Sequence, residues 1–114
     1  MERMSDFRRG DLVSVAVQGN FGRPRPALVV QSDLFNETHP TVMLCLVTSE
    51  LRDAPIFRLT VEPAATNGLE QTSQVQIDKV MSVLREKVGP SFGRLDDSMM
   101  VKVNRALAVF AGIA

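Results

Sequence analysis

A chain of 114 residues is expected to form one domain with its own core, and 45% hydrophobic against 23% charged residues excludes a disordered or membrane-embedded class. Thirteen Lys and Arg balance thirteen Asp and Glu, so no net field draws the chain to nucleic acid or membrane, and any site for a polyanion has to come from local clustering. A single cysteine excludes an intramolecular disulfide, and the first nine residues lack the apolar stretch of a signal peptide, so the expected setting is reducing and cytoplasmic.

In chain order, Leu12 to Val17 sets Val13, Val15 and Val17 at a period of two, which predicts a first strand after the Gly10-Asp11 turn. The polar loop Gly19-Asn20-Phe21-Gly22-Arg23-Pro24-Arg25-Pro26 then delivers two arginines to the apolar run Ala27 to Val30. Pro26 fixes its own φ at about −65° and biases Arg25 towards extended backbone, so Arg25 is expected to open the second strand with its side chain held in one direction. Read alone, Arg23 and Arg25 could equally be solvated loop side chains. The second strand, Pro26 to Gln31, is apolar on both faces and therefore central. Ser32 to Asn36 reads as a turn or single helical turn, and Thr41 to Thr48 as a third strand containing Cys45.

Ile56 to Glu62 alternates Phe57, Leu59 and Val61 with polar residues and predicts a half-exposed strand stopped by Pro63. Ser73 to Val83 predicts a fifth strand with Val75 and Ile77 facing in and Gln74, Gln76 and Asp78 facing out, and Lys87 to Arg94 a short edge strand. A closing helix over about 96–111 starts at an Asp96 or Asp97 cap, packs through Leu95, Met99, Val103, Leu107 and Phe110, and ends at Gly112; Lys102 and Arg105 form its solvated side. With strands over about 12–94, the expectation is a mainly β fold with a C-terminal α-helix: a small SH3-like antiparallel barrel in a single domain, 1–114.

One histidine, His39, and one cysteine, with no ligand spacing between them, predict neither a metal nor a cofactor. Cys45 sits between Leu44 and Leu46, where desolvation disfavours a thiolate nucleophile. Arginine and hydroxyls remain. If the second and third strands pair antiparallel, Arg25 meets Thr48 and Ser49 at one rim. A guanidinium beside a hydroxyl suits a phosphodiester, whose transition state gathers negative charge on nonbridging oxygens. RNA brings its own 2′-hydroxyl as nucleophile, so this chemistry requires neither a metal nor an enzyme nucleophile.

Five segments in order, Arg8-Arg9-Gly10-Asp11, Arg25 to Asp33, Thr48-Ser49, Gly68 to Val75 and Gly93-Arg94-Leu95, resemble the MazF/PemK toxins of type II toxin–antitoxin systems. The resemblance implies an SH3-like barrel homodimer of the CcdB/PemK-like type, an endoribonuclease that cuts single-stranded RNA at short sequences without a metal. It also implies a cognate antitoxin whose disordered tail wraps the dimer. Arg25 and Thr48 match the family's catalytic pair, with Arg25 donating to the scissile phosphate or leaving oxygen and Thr48 orienting it. Asn20, Phe21, Arg23, Ser49, Gln76, Asp78 and Lys79 are the expected RNA contacts by position, Phe21 as a stacking platform. The first loop departs from the family in being shorter and lacking the glutamate that could act as base. A related fold offers the alternative of a CcdB-type gyrase-binding growth inhibitor, through Val30-Gln31-Ser32-Asp33 and the chain end Phe110-Ala111-Gly112-Ile113. That relative's terminal tryptophan is replaced here by Ala111. An apolar patch at Met99-Met100 would mark the dimer contact.

Overall fold

The structure, a computed structural model, describes residues 7–18 and 23–114. Residues 19–22 of the arginine-bearing loop, with Asn20 and Phe21, lie outside the described residues. The apolar runs become strands β1 (Asp11–Ala16), β2 (Pro24–Val29) and β3 (Thr41–Thr48), the last with the bounds expected of it. They are followed by β4 (Arg58–Val61), β5 (Ser73–Leu84) and β6 (Val88–Arg94). A one-turn helix α1 (Asp33–Asn36) follows β2, and α2 (Asp97–Phe110) closes the chain, its N-cap carboxylate supplied by Asp96 to Met99 N at 2.8 Å. That backbone bond, then the Ser98 hydroxyl, holds the Asp96 carboxyl below its ordinary range.

All six strands join one sheet in the order β4-β5-β3-β2-β1-β6, with every pairing antiparallel. β2 is interior, as its two apolar faces require. Leu28 packs with Cys45, Val75 and Ile77 towards Met100 and Val103 of α2, whereas Val29 joins Val13, Val15, Val42 and Leu44 on the opposite face. Alternation along the pleat therefore feeds two cores, and each fully buried Val or Leu contributes about 1.5–3 kcal/mol. Between β2 and β3 the chain is turned by a buried amide pair: Gln31 Nε2 donates to Asn36 Oδ1 at 3.0 Å and Asn36 Nδ2 returns to the Gln31 carbonyl at 3.1 Å.

Four expectations need correction. Gln74 and Gln76 do not face solvent; they are 5% and 6% exposed, because the segment after β3 folds back over that face of β5 and Gln74 bonds the backbone of Arg52. The packing stripe of α2 runs through Leu95 and Val103 with Met99 and Leu107 partly buried against the same core, as expected, and it gains Met100; Phe110 instead is largely exposed, meeting Phe57 edge to face at 6.3 Å. Burial of Met100 removes the apolar patch expected at Met99-Met100; the exposed apolar side chains of α2 and its end are instead Val101, Val109, Phe110 and Ile113. β4 is shorter than 56–62 because Phe57 N and Arg58 N both bond to Ala54 O and close a turn there.

Among the described residues β4 and β6 remain the two edges of the sheet, and the barrel-like curl is closed by a seam rather than by strand pairing. The turn after β4 reaches β6 through Arg94 N to Thr66 O, 2.8 Å. Asn67 is buried and holds that turn with three bonds: its Oδ1 accepts from Ala64 N and Leu69 N, both at 3.0 Å, and its Nδ2 donates to Glu62 O at 2.9 Å. Gly93 lies directly on the Asn67 backbone, where a Cβ would collide with the Asn67 carbonyl, and Gly68, at φ +67°, lies against the Phe92 carbonyl, which a Cβ there would also strike. Gly93→Ala is expected to lower unfolding stability by about 1–3 kcal/mol, since backbone rather than a pliant side chain has to move. Urea unfolding checks this, and an unchanged midpoint would mean the seam is loose.

Candidate active site

The β2–β3 ladder pairs Ala27 with Leu46, Leu28 with Cys45 and Val29 with Leu44. Continuing that register two residues sets Arg25 opposite Thr48, the meeting that antiparallel pairing predicts. Both line a cleft of about 430 Å³, together with Pro26, Ser49 and, from the far wall, Leu69 and Phe92. Pro24 and Pro26 flank Arg25 in an extended strand, and Val15 of β1 pairs with it on the other side. The guanidinium emerges from a backbone fixed on one edge by pairing and restricted by both prolines. Its Nη2 reaches Val47 O at 3.5 Å, a bond at the limit of hydrogen-bonding distance, so the fork has donors to offer a ligand. Thr48 Oγ1 accepts from Glu50 N at 3.1 Å, which leaves the hydroxyl hydrogen able to donate.

Among the described residues Arg25 is the one cation lining the cleft, and Glu50 and Glu70 are its carboxylates. Sequence reasoning missed both acids. Glu50 directly follows Thr48-Ser49, and Glu70 lies inside the Gly68 to Val75 motif, so the signal was present but had no role attached to it. The other expected contacts are dispersed. Arg23 is exposed just before β2 and outside the cleft lining. Gln76 is buried on β5 opposite Arg58, and Lys79 is exposed further along the strand. Asp78 lines a second cavity of about 630 Å³ with Met43, Val80, Leu107 and Phe110, at the C-terminal end of α2. Among the described residues, no three His, Cys, Asp or Glu side chains gather at metal-binding distance, and no helix is long and apolar enough to cross a membrane.

Residues 8–111 match the family model described as PemK-like, MazF-like toxin of type II toxin–antitoxin system. The probable endoribonuclease MazF of Mycolicibacterium smegmatis is 42% identical over 109 residues, covering 95% of this chain and 99% of that protein. Endoribonuclease EndoA of Bacillus subtilis is 28% identical over 106 residues, covering 90% and 91%. In structure, the chain superposes on MazF of the MazE–MazF complex from Deinococcus radiodurans with a TM-score of 0.79 at 23% identity, over 96% of this chain and 99% of that one. Both sequence relatives carry endoribonuclease names, and the gyrase-binding alternative finds no support among them.

The one thiol is unsuited to nucleophilic work, as its sequence neighbours predict. Cys45 is fully buried, and burial above all, with Asp78 adding to it and Arg9 opposing, pushes its pKa from 9.0 to about 12. The neutral thiol is thus favoured by folding. Its contribution is complete below pH 9 and is lost as pH rises towards 12, because the unfolded chain ionises first. Iodoacetamide at pH 9 is expected to leave Cys45 unmodified in the folded protein and to alkylate it fully in denaturant, as mass spectrometry would read; equal rates in the two states would contradict the burial.

Proposed function

Because the chain belongs to the PemK-like, MazF-like family of type II toxin–antitoxin toxins, we propose that it is an endoribonuclease that cuts single-stranded RNA in the Arg25–Thr48 cleft, without a metal ion. The observation that carries this reading is the convergence of a guanidinium and a hydroxyl, from adjacent strands, on one open cleft. Arg25 offers paired donors to the nonbridging oxygens of the scissile phosphate, where charge builds as the RNA 2′-oxygen attacks phosphorus. Thr48, its acceptor side already engaged by Glu50 N, turns its hydroxyl hydrogen to the same phosphate and orients it.

Ser49 lines the cleft and extends the RNA path; Asn20, Phe21 and Arg23, by their closeness to Arg25 in sequence, are kept as further RNA contacts. Asp78 and Lys79 stand away from the cleft and would contribute only along a longer RNA track, whereas the buried Gln76 is withdrawn from RNA. The working unit is a homodimer of a single toxin domain in the cytoplasm, held inactive by a cognate antitoxin. The family and a solved relative complexed with MazE support that partnership.

A long single-stranded RNA incubated with the protein in excess chelator is expected to be cut at one short motif. Arg25→Ala is expected to lower kcat about 10²–10³-fold, the scale of losing one oxyanion donor, with the fold intact by circular dichroism; Thr48→Ala is expected to be slower as well. Undiminished cutting by a folded Arg25→Ala protein, or intact RNA with the parent, would refute the reading.

A further inference from the structure

Attack by a 2′-hydroxyl needs a group that accepts its proton. Arg25 stays protonated at any working pH and an alcohol such as Thr48 is no base. His39 precedes β3 whereas Thr48 ends it, and Thr41 to Thr48 alone spans roughly 23 Å of strand at about 3.3 Å per residue. Among the described residues, the basic acceptors lining the cleft are the carboxylates of Glu50 and Glu70. Two carboxylates against a single guanidinium oppose a polyanion, so a carboxylate kept at this rim is expected to have work to do.

The two acids are held differently. The peptide of Glu50 is anchored at both ends: its N–H donates to the Thr48 hydroxyl at 3.1 Å, and its carbonyl accepts from Arg58 Nη1 at 3.0 Å. Behind it stands the buried amide of Gln74. Gln74 Oε1 accepts from Arg58 Nη1 at 3.3 Å and from Arg52 N at 3.0 Å, and Gln74 Nε2 donates to Arg52 O at 3.0 Å and to Thr60 Oγ1 at 3.1 Å. A glutamine side chain thus pairs with the Arg52 backbone as a neighbouring strand would, and clamps the loop that carries Thr48, Ser49 and Glu50. Glu50 lines the cleft and its side chain is 80% exposed; its carboxylate pairs with Arg52 Nη2 at 3.9 Å, a long surface pair that leaves the oxygens open. Among the described residues Glu70 has no comparable anchors.

We propose that Glu50 is the general base of this toxin and that Gln74, with Arg58, is its positioning residue. This assignment rests on the endoribonuclease reading above. The 2′-oxygen forms its bond to phosphorus while its proton passes to the Glu50 carboxylate. The bond from phosphorus to the 5′-oxygen breaks, Arg25 stabilises the departing charge, and that oxygen takes a proton from water. The products are a 2′,3′-cyclic phosphate and a 5′-hydroxyl.

The test is cleavage of a long single-stranded RNA by the full chain and its variants, with retention of RNA measured in parallel by gel shift. Glu50→Gln is expected to lower kcat about 10²–10⁴-fold with KM within a few-fold, as loss of a general base does. Added formate is expected to restore part of the rate of Glu50→Ala, but not that of Arg25→Ala, against a chloride control of equal ionic strength. Gln74→Ala, folded by circular dichroism, is expected to lose kcat less severely at unchanged KM; full kcat there would remove its positioning role. A parent that cuts RNA beside a Glu50→Gln variant equally fast, above all if Glu70→Gln is slow, overturns the assignment of Glu50 alone. A parent that leaves RNA intact overturns the nuclease reading and the assignment with it.

Discussion

The contact of Gly93 with the Asn67 backbone is the constraint on which the rest of this structure hangs. The sheet's two edges, β4 and β6, lie at opposite ends of its strand order, and among the described residues the turn anchored by Asn67 brings them together. That turn leads directly through Gly68 into the segment that forms one wall of the cleft, while Arg25 and Thr48 form the other. A residue larger than glycine at position 93 would push the seam apart and carry the far wall with it. Curl and cleft are therefore one feature, since the open side of the curled sheet is where the walls face each other.

The near wall depends on a different kind of order. Two cores, one on each face of the sheet, fix the register of β2 against β3, because a one-residue slip would exchange every inward side chain between them. With the register fixed, Arg25 has no freedom about which residue it faces. Just beyond the end of β3 no strand pairing remains to hold the chain, and side chains take over: Gln74 and Arg58 bind the backbone of Glu50 and Arg52 in place of a ladder. Burial of these amides is affordable because each donor and acceptor named has a partner.

The strands were legible because apolar runs and period-two alternation are local signals, and β3 runs from Thr41 to Thr48 as read. The meeting of Arg25 with Thr48 was also legible, since neighbouring strands in sequence tend to pair and the pairing direction decides which ends meet. The burial of Gln74 and Gln76 was not, because outward-facing amides on a strand look the same whether water or a returning loop covers them. The acids of the cleft were hidden for a related reason. Glu50 and Glu70 are twenty residues apart in sequence and become neighbours of one site only through the curl of the sheet. Met100 joined the stripe of α2 beside Met99 because the helix lies low enough on the sheet for both adjacent methionines to reach the core of Leu28 and Ile77, which periodicity alone does not reveal.

β6 contains Pro90, which has no backbone donor, and its ladder to β1 is broken by register shifts at Leu12/Val13 and Val13/Val15. Such an edge is poorly suited to accept another strand, and the opposite edge, β4, is four residues long. The sheet is therefore blunted at both ends against the edge-to-edge growth that leads to fibres and aggregates, a hazard that grows with local concentration. Partners that bind this chain have to read its side chains, because its backbone offers them little to extend.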